Sequence, residues 1–140
     1  MEALTISEGF LKSIGSKKVI HAFFSTYCFE PDFFELEVIP LLLGNPALSS
    51  YEELRYLQIQ KLMHTTEISL SVAYDFDVFN PRLPSRIESI YLPILVDGAC
   101  QHAKISVLAL QNQDKDGNKD VSIVVAAGSY NLTKAGWWEN

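Results

Sequence analysis

Two short motifs near the end of the sequence contain residue types suited to phosphate chemistry. His102 and Lys104 stand two positions apart, and Ser129 and Asn131 follow later in the chain. An imidazole can attack phosphorus, an ammonium can hold an anion, and hydroxyl and amide groups can donate hydrogen bonds to it. Phosphoryl transfer to a side chain needs such a nucleophile, with fixed positive groups around the phosphate oxygens. We therefore expect one anion-binding site, provided that the fold brings the two motifs together.

The segments that carry the motifs predict an antiparallel hairpin. Residues 103–110 and 121–127 read as strands, and the polar segment between them contains Asp116-Gly117, a strong turn signal. In a hairpin that turns there, a residue early in the first strand lies opposite one late in the second. We therefore expect His102 to lie close to about Ser129.

Local geometry should complete the site at this end of the hairpin. Side chains two positions apart in a strand emerge on the same face, so His102 and Lys104 should point at one ligand. Gly128 permits a tight or positive-φ turn, and Ser129 beside it offers a hydroxyl and a backbone N–H. Asn131 adds an amide donor.

The two motifs together resemble the signature of the phospholipase D superfamily, in which His-x-Lys is followed by Gly-Ser-x-Asn. The corresponding segments here are QHAKISVLAL and GSYNLTKAGW. The resemblance implies that His102 is the nucleophile of a phosphohistidine intermediate and that Lys104 and Asn131 hold the phosphate. It also implies substrate binding by Ser129 and Gly128, and chemistry without a metal or another cofactor.

One position departs from the common form of this signature. An aspartate usually stands five positions after the lysine, where this sequence has Ala109. Tyrosyl-DNA phosphodiesterases share the absence, with a His-Lys-Asn motif that ends much like NLTKAGW here. The resemblance thus favours a nuclease-like activity on DNA ends, as in DNA repair. It equally fits other phospholipase D-like nucleases, so DNA, RNA and other phosphodiesters, including phospholipids, stay open as substrates.

Cleavage also needs a group that protonates the leaving oxygen and later activates water, a role usually given to histidine. The sequence has no second His-x-Lys. In the superfamily a second half-site supplies this group, either from the same chain or from a second subunit. We expect this chain to be the N-terminal half of a longer protein, because it stops at WWEN directly after the motif, with a homodimer as the alternative. Alone, it should be inactive.

A structural reading of the same residues competes with the catalytic one. His102 would then simply begin a strand, Lys104 would be solvated, and Asn131 or Thr133 would cap a short helix. The corresponding function is a phospholipase D-like module that binds an anion or serves a structural role without doing chemistry. His21 and His64 have no acidic or thiol partners at the spacing of metal ligands, so they are left out of the site.

Length and composition predict one α/β domain over residues 1–140. The chain is 48% hydrophobic and 20% charged, ordinary values for a packed globular protein. Its net charge of −6 does not attract phosphate backbones over long range, so contact with a nucleic acid must be local. Without a signal sequence or an apolar run of spanning length, we expect a cytoplasmic protein with no membrane span. Cys28 and Cys100 are then expected to be reduced thiols.

Hydrophobic periodicity predicts the remaining elements. Helices are expected at residues 6–14, from Pro31 to about residue 44, and at 50–63; strands at 19–24, 68–74 and 90–96; and a loop at 79–86. The helix at 50–63 should bury the side that carries Leu54, Leu57, Ile59 and Leu62. This order predicts a mixed β-sheet flanked by helices, an αβα sandwich like half of a phospholipase D enzyme.

Overall fold

A mixed five-stranded β-sheet with helices packed against it forms the frame of the protein, so the predicted α/β class is confirmed. The computed structural model describes residues 4–77, 87, 90–113 and 116–138. The strands are β1 (Lys18–Thr26), β2 (Ser69–Asp75), β3 (Ile90–Ile94), β4 (Ile105–Gln113) and β5 (Lys119–Ala127). The helices are α1 (Ile6–Ile14), α2 (Pro31–Phe33), a π-helical segment (Phe34–Val38), α3 (Ile39–Leu42), α4 (Glu52–Thr66) and α5 (Lys134–Trp138).

The order and direction of the strands place both motifs at the same end of the sheet, where β1 and β2 end. The order is β3-β2-β1-β4-β5, in which β1, β2 and β3 are parallel and β4 runs antiparallel to both β1 and β5. The C-terminal ends of β1 and β2 therefore meet the start of β4 and the end of β5. Ligand sites of α/β proteins are commonly found at the C-terminal ends of parallel strands.

The predicted hairpin is confirmed, and its register differs by one residue from the predicted one. Ile105 pairs with Ala127, so an extended pairing would set His102 opposite Tyr130 rather than Ser129. The predicted start of the first strand was wrong: β4 begins at Ile105, and His102 lies in the extended segment before it. The predicted strand at 90–96 is β3, which ends at Ile94, whereas the loop at 79–86 lies outside the described residues.

One face of the sheet carries the core. On that face, side chains of β1, β2 and β4 form one cluster with buried residues of the helices. The helix residues in this cluster include Phe10, Phe34, Ile59 and Trp137. On the opposite face of β5, the side chains of Val121, Ile123 and Val125 are exposed. In the described part of the chain the helices thus pack on one face, and the second helical layer of the sandwich stays a prediction. No helix described is both long and apolar enough to cross a bilayer.

The buried face of α4 differs from the predicted one. The prediction chose the side that carries the leucines, but Leu54 and Leu57 are exposed. The helix instead buries Tyr56, Ile59 and Met63, whose spacing of three and four residues follows the turn of an α-helix. Of the predicted residues, Ile59 is thus buried as expected, whereas the prediction was wrong for Leu54 and Leu57.

The corrected face of α4 predicts a large difference between two aliphatic truncations. Ile59→Ala removes a side chain with no exposed surface and should lower the free energy of unfolding by about 2–4 kcal/mol. Leu57→Ala, on a residue that is 62% exposed, is the matched control and should change it by about 0.5 kcal/mol or less. Urea unfolding measures both, and equal costs would contradict the face described here.

Candidate active site

Lys104 and His102 are in direct contact. The Nζ atom of Lys104 lies 3.0 Å from Nδ1 and 3.4 Å from Nε2 of the His102 ring, and it donates a hydrogen bond to the His102 carbonyl oxygen at 2.9 Å. The Lys104 residue is buried, with 7% of its surface exposed, whereas His102 is exposed. A buried ammonium thus lies beside an imidazole that an incoming ligand can reach.

The charge of Lys104 has no acidic partner in the described part of the chain, where no carboxylate forms an ion pair with it. Its Nζ contacts the ring and the carbonyl oxygen of His102 and faces the Tyr27 ring, whose centroid is 5.8 Å away. A buried charge is costly unless an opposite charge or hydrogen bonds compensate it. An anion bound at this position would supply the missing charge.

The segment that carries His102 is fixed by the ends of β1 and β2. The buried carboxylate of Asp75, at the end of β2, accepts hydrogen bonds from the backbone N–H of Gln101 at 2.7 Å and of Asp77 at 3.0 Å. The Gln101 side chain accepts a hydrogen bond from the N–H of Ala103 and donates one to the Ser25 hydroxyl. Ser25 in turn donates to the Ala103 carbonyl oxygen at 3.1 Å.

These hydrogen bonds explain why β4 starts later than predicted. Both backbone groups of Ala103 are bound by side chains, so they are not available to a neighbouring strand. The extended segment that results is held in place without belonging to the sheet. Sequence reasoning missed Asp75, Gln101 and Ser25, because they come from three separate segments and no spacing within one segment relates them.

Asn131 is held by the loop that follows β1. Its Oδ1 atom accepts a hydrogen bond from the backbone N–H of Cys28 at 2.9 Å. Next to it, the N–H of Leu132 donates to the buried hydroxyl of Thr26 at 2.9 Å, and the N–H of Glu30 donates to the Leu132 carbonyl oxygen at 3.1 Å. Because the amide oxygen of Asn131 is used for positioning, its Nδ2 group is the one left to donate to a ligand.

Gly128 joins the two motifs through its backbone. Its N–H donates to the carbonyl oxygen of Lys104 at 3.2 Å, which continues the register of the hairpin by one pair. Of the tight or positive-φ turn expected at Gly128, the positive φ is not found, and the chain bends at residues 128–129. A Cβ atom there would lie 2.8 Å from the Tyr130 ring, so a larger residue would force that ring to shift.

The side chains of the two motifs do not bind each other directly. In the described part of the chain, neither the exposed Ser129 nor Asn131 forms a side-chain hydrogen bond with His102 or Lys104. Residues 27 and 28 connect them, because the Tyr27 ring contacts the first motif and the Cys28 backbone binds the second. The assignment of His102, Lys104, Ser129 and Asn131 to one phosphate site therefore stays a prediction.

Gly136, which sequence reasoning missed, lets α5 approach the backbone of Asn131. A Cβ atom at this position would lie 2.3 Å from the Asn131 carbonyl oxygen. The N–H of Gly136 donates to the Thr133 hydroxyl, which caps the helix as the structural reading of the sequence expected. The next residue, Trp137, is buried and stacks on Phe10 with ring centroids 4.9 Å apart. Helix α5 thus packs closely against the backbone of Asn131.

Comparisons with protein-family models, with curated proteins and with solved structures found no match for this chain. The relation to the phospholipase D superfamily therefore depends on the two motifs alone.

The contact between Gly136 and Asn131 predicts that Gly136→Ala displaces the Asn131 backbone. We expect the free energy of unfolding to fall by about 1–3 kcal/mol, as in other overpacked sites, and the amide resonance of Cys28 to shift as its bond to Asn131 changes. Gly9→Ala is the control, because its Cβ atom meets nothing within 4 Å in α1. That helical substitution should stabilise the protein by up to about 1 kcal/mol. An unchanged Cys28 resonance in Gly136→Ala would refute the coupling.

Proposed function

We propose that this chain supplies one half-site of a metal-independent phosphodiesterase of the phospholipase D superfamily, acting on nucleic-acid phosphodiesters. One observation carries the proposal: the buried ammonium of Lys104 lies 3.0 Å from the exposed imidazole of His102, and no described carboxylate forms an ion pair with it. This arrangement suits a phosphate group, which brings negative charge to the lysine and places its phosphorus near the imidazole.

In the proposed reaction, a ring nitrogen of His102 attacks phosphorus. A P–N bond forms, the P–O bond to the leaving group breaks, and the leaving oxygen takes a proton from a general acid of the second half-site. Water then attacks the phosphohistidine, gives its proton to that same group and releases the imidazole. Lys104 and the Nδ2 group of Asn131 bind the phosphate oxygens, with further hydrogen bonds from the Ser129 segment.

The position at which the signature usually has an aspartate is not on the side of β4 where Lys104 lies. Ala109 lies in β4 opposite Ile123, on the outward face of the sheet. Lys104 is buried among the inward-facing residues, whose side chains alternate with those of Ala109 along the chain. The proposal therefore does not depend on an acidic residue at this position.

The substrate class rests on the motif and on the charge of the chain. The resemblance to tyrosyl-DNA phosphodiesterases and related nucleases favours nucleic-acid ends. At a net charge of −6 the protein would not steer a long phosphate backbone from a distance, so recognition would be local to the scissile phosphate.

A second candidate function is an anion-binding or structural module that keeps the site and does no chemistry. The single His-x-Lys pair of the sequence favours this candidate, because a lone half-site lacks a general acid. The two candidates share the anion site and differ in whether a covalent adduct forms on His102.

The first test of the proposed chemistry is chelation. Turnover of bis(p-nitrophenyl) phosphate by the assembled protein should persist in EDTA, because Lys104 and Asn131 would meet the phosphate charge in place of a metal ion. The rate in EDTA should stay within about twofold of the untreated rate. Turnover that disappears on chelation and returns with magnesium or manganese would contradict the phosphohistidine mechanism.

The second test separates the nucleophile from the anion-binding group. His102→Ala should lower kcat by about a thousandfold or more while phosphate binding is largely kept, since Lys104 remains. Lys104→Ala should weaken phosphate binding by about 10- to 100-fold, the loss of a charge-assisted hydrogen bond. His64→Ala, an exposed residue near the end of α4, is the matched control and should behave as wild type.

The covalent intermediate distinguishes the two candidate functions. After a quench without acid, a base-stable and acid-labile phosphoryl adduct should map to the peptide that contains His102. It should be absent from His102→Ala and present in His64→Ala. An adduct on another residue, or full activity without His102, would leave the binding module as the better account.

A further inference from the structure

Tyr27 is the first residue after β1, and its backbone is anchored on both sides. The buried hydroxyl of Thr26 donates to the carbonyl oxygen of Cys28 at 2.7 Å and accepts the N–H of Leu132. The N–H of Cys28 is bound by Asn131. The Tyr27 ring therefore starts from a fixed backbone, although it lies in a loop.

From this position one ring touches both groups of the first motif. Its centroid lies 4.9 Å from the centroid of the His102 ring at an angle of 40°, and 5.8 Å from Nζ of Lys104. Aromatic rings at such distances pack favourably, and an ammonium within about 6 Å of a ring centroid is attracted to its face. The Tyr27 ring and the Lys104 ammonium both contact the exposed His102 ring.

We propose that Tyr27 is a positioning residue, whose ring holds the His102 imidazole against the Lys104 ammonium before a phosphate binds. This role deepens the proposed function and rests on it, because it assigns to Tyr27 the geometry of the proposed nucleophile. The ring packs on the exposed imidazole, which lies on the segment before β4. The same ring also faces the Lys104 ammonium, 5.8 Å from its centroid.

The ring, rather than the hydroxyl, makes both contacts. Burial raises the pKa of the Tyr27 phenol, with the nearby Cys100, Asp75, Cys28 and Asp77 acting in the same direction when they are ionised. The phenol therefore stays protonated at neutral pH and does not neutralise Lys104. A phenylalanine should replace Tyr27 in this role, and an aliphatic residue should not.

The experiment compares Tyr27→Leu and Tyr27→Phe with wild type by NMR of the histidine ring protons, during titration with inorganic phosphate. In Tyr27→Leu we expect the His102 signals to shift, because the ring current is lost, and phosphate affinity to fall about three- to tenfold. Tyr27→Phe should keep the phosphate affinity of wild type and the His102 ring-current shift. Signals of the other two histidines, His21 and His64, report that the fold is intact.

Tyr51→Leu is the matched control for the same substitution elsewhere. Tyr51 is 80% exposed and precedes α4, and no described hydrogen bond or ring contact joins its side chain to the motifs, so both His102 signals and phosphate affinity should be those of wild type. If Tyr27→Leu does not fold, nuclear Overhauser effects between the Tyr27 and His102 rings in the wild-type protein provide the test. Their presence supports the packing, and their absence overturns it.

The outcomes separate this inference from the proposed function. Wild-type His102 signals and phosphate affinity in Tyr27→Leu would overturn the positioning role, as would equal losses in Tyr27→Leu and Tyr27→Phe, which would assign the effect to the hydroxyl. If wild type itself fails to bind phosphate, the anion site of the proposed function fails. The His102 signals of the two variants still decide the role of Tyr27 in that case.

In the assembled, active protein, Tyr27→Leu should lower kcat about tenfold with a smaller effect on KM, since misplacement of the nucleophile acts mainly on the chemical step. Tyr27→Phe should restore kcat. A loss of kcat that phenylalanine does not restore would contradict the positioning role.

Discussion

The contact between the loop after β1 and the segment after β5 is the constraint on which the candidate site depends. Thr26, at the end of β1, binds the backbone N–H of Leu132 through its hydroxyl, and Cys28 binds the Asn131 side chain. A short parallel bridge between Phe29 and Leu132 continues this pairing. Because Tyr27 lies between these anchors and contacts His102 and Lys104, the same loop joins the two motifs.

The electrostatics of the site contrast with those of the whole chain. The protein is acidic, with a net charge of −6, yet it buries a lysine without a described ion-pair partner. Partial compensation comes from the His102 carbonyl oxygen, a ring nitrogen and the Tyr27 ring. None of these groups carries a full negative charge.

The sequence was sufficient for the parts of the fold that depend on local pattern. The hairpin followed from alternating apolar residues around Asp116-Gly117, and its register followed to within one residue. The start of β4 could not be predicted, because it depends on Gln101 binding Ala103 and on Asp75 binding Gln101 across the sheet edge. Such hydrogen bonds are set by tertiary structure and leave no periodic signal.

The same division applies to the candidate site. The nearness of Gly128 follows from the hairpin, whereas the two-residue spacing predicted a shared face for His102 and Lys104 but not their direct contact. The participation of Tyr27 and Gly136 could not be predicted from spacing, since both depend on close packing between segments that are distant in the chain. The position of Tyr27 near the site could have been predicted from topology, because Tyr27 follows a strand whose C-terminal end lies at the site.

The geometry of the remaining acid–base candidates bears on whether one half-site can suffice. His21 pairs with Ser69 and Ala109 and lies five residues before the end of β1. At about 3.3 Å per residue, it is roughly 16 Å from the end of the strand where the site lies. His64 lies near the C-terminal end of α4, just before the start of β2, and so at the opposite end of the sheet from the site. The buried Asp75 is closer, but both of its carboxylate oxygens accept backbone hydrogen bonds that hold the His102 segment. A proton transfer by Asp75 would disturb the geometry that the nucleophile needs. His21, His64 and Asp75 are therefore poorly placed to protonate a leaving oxygen at His102.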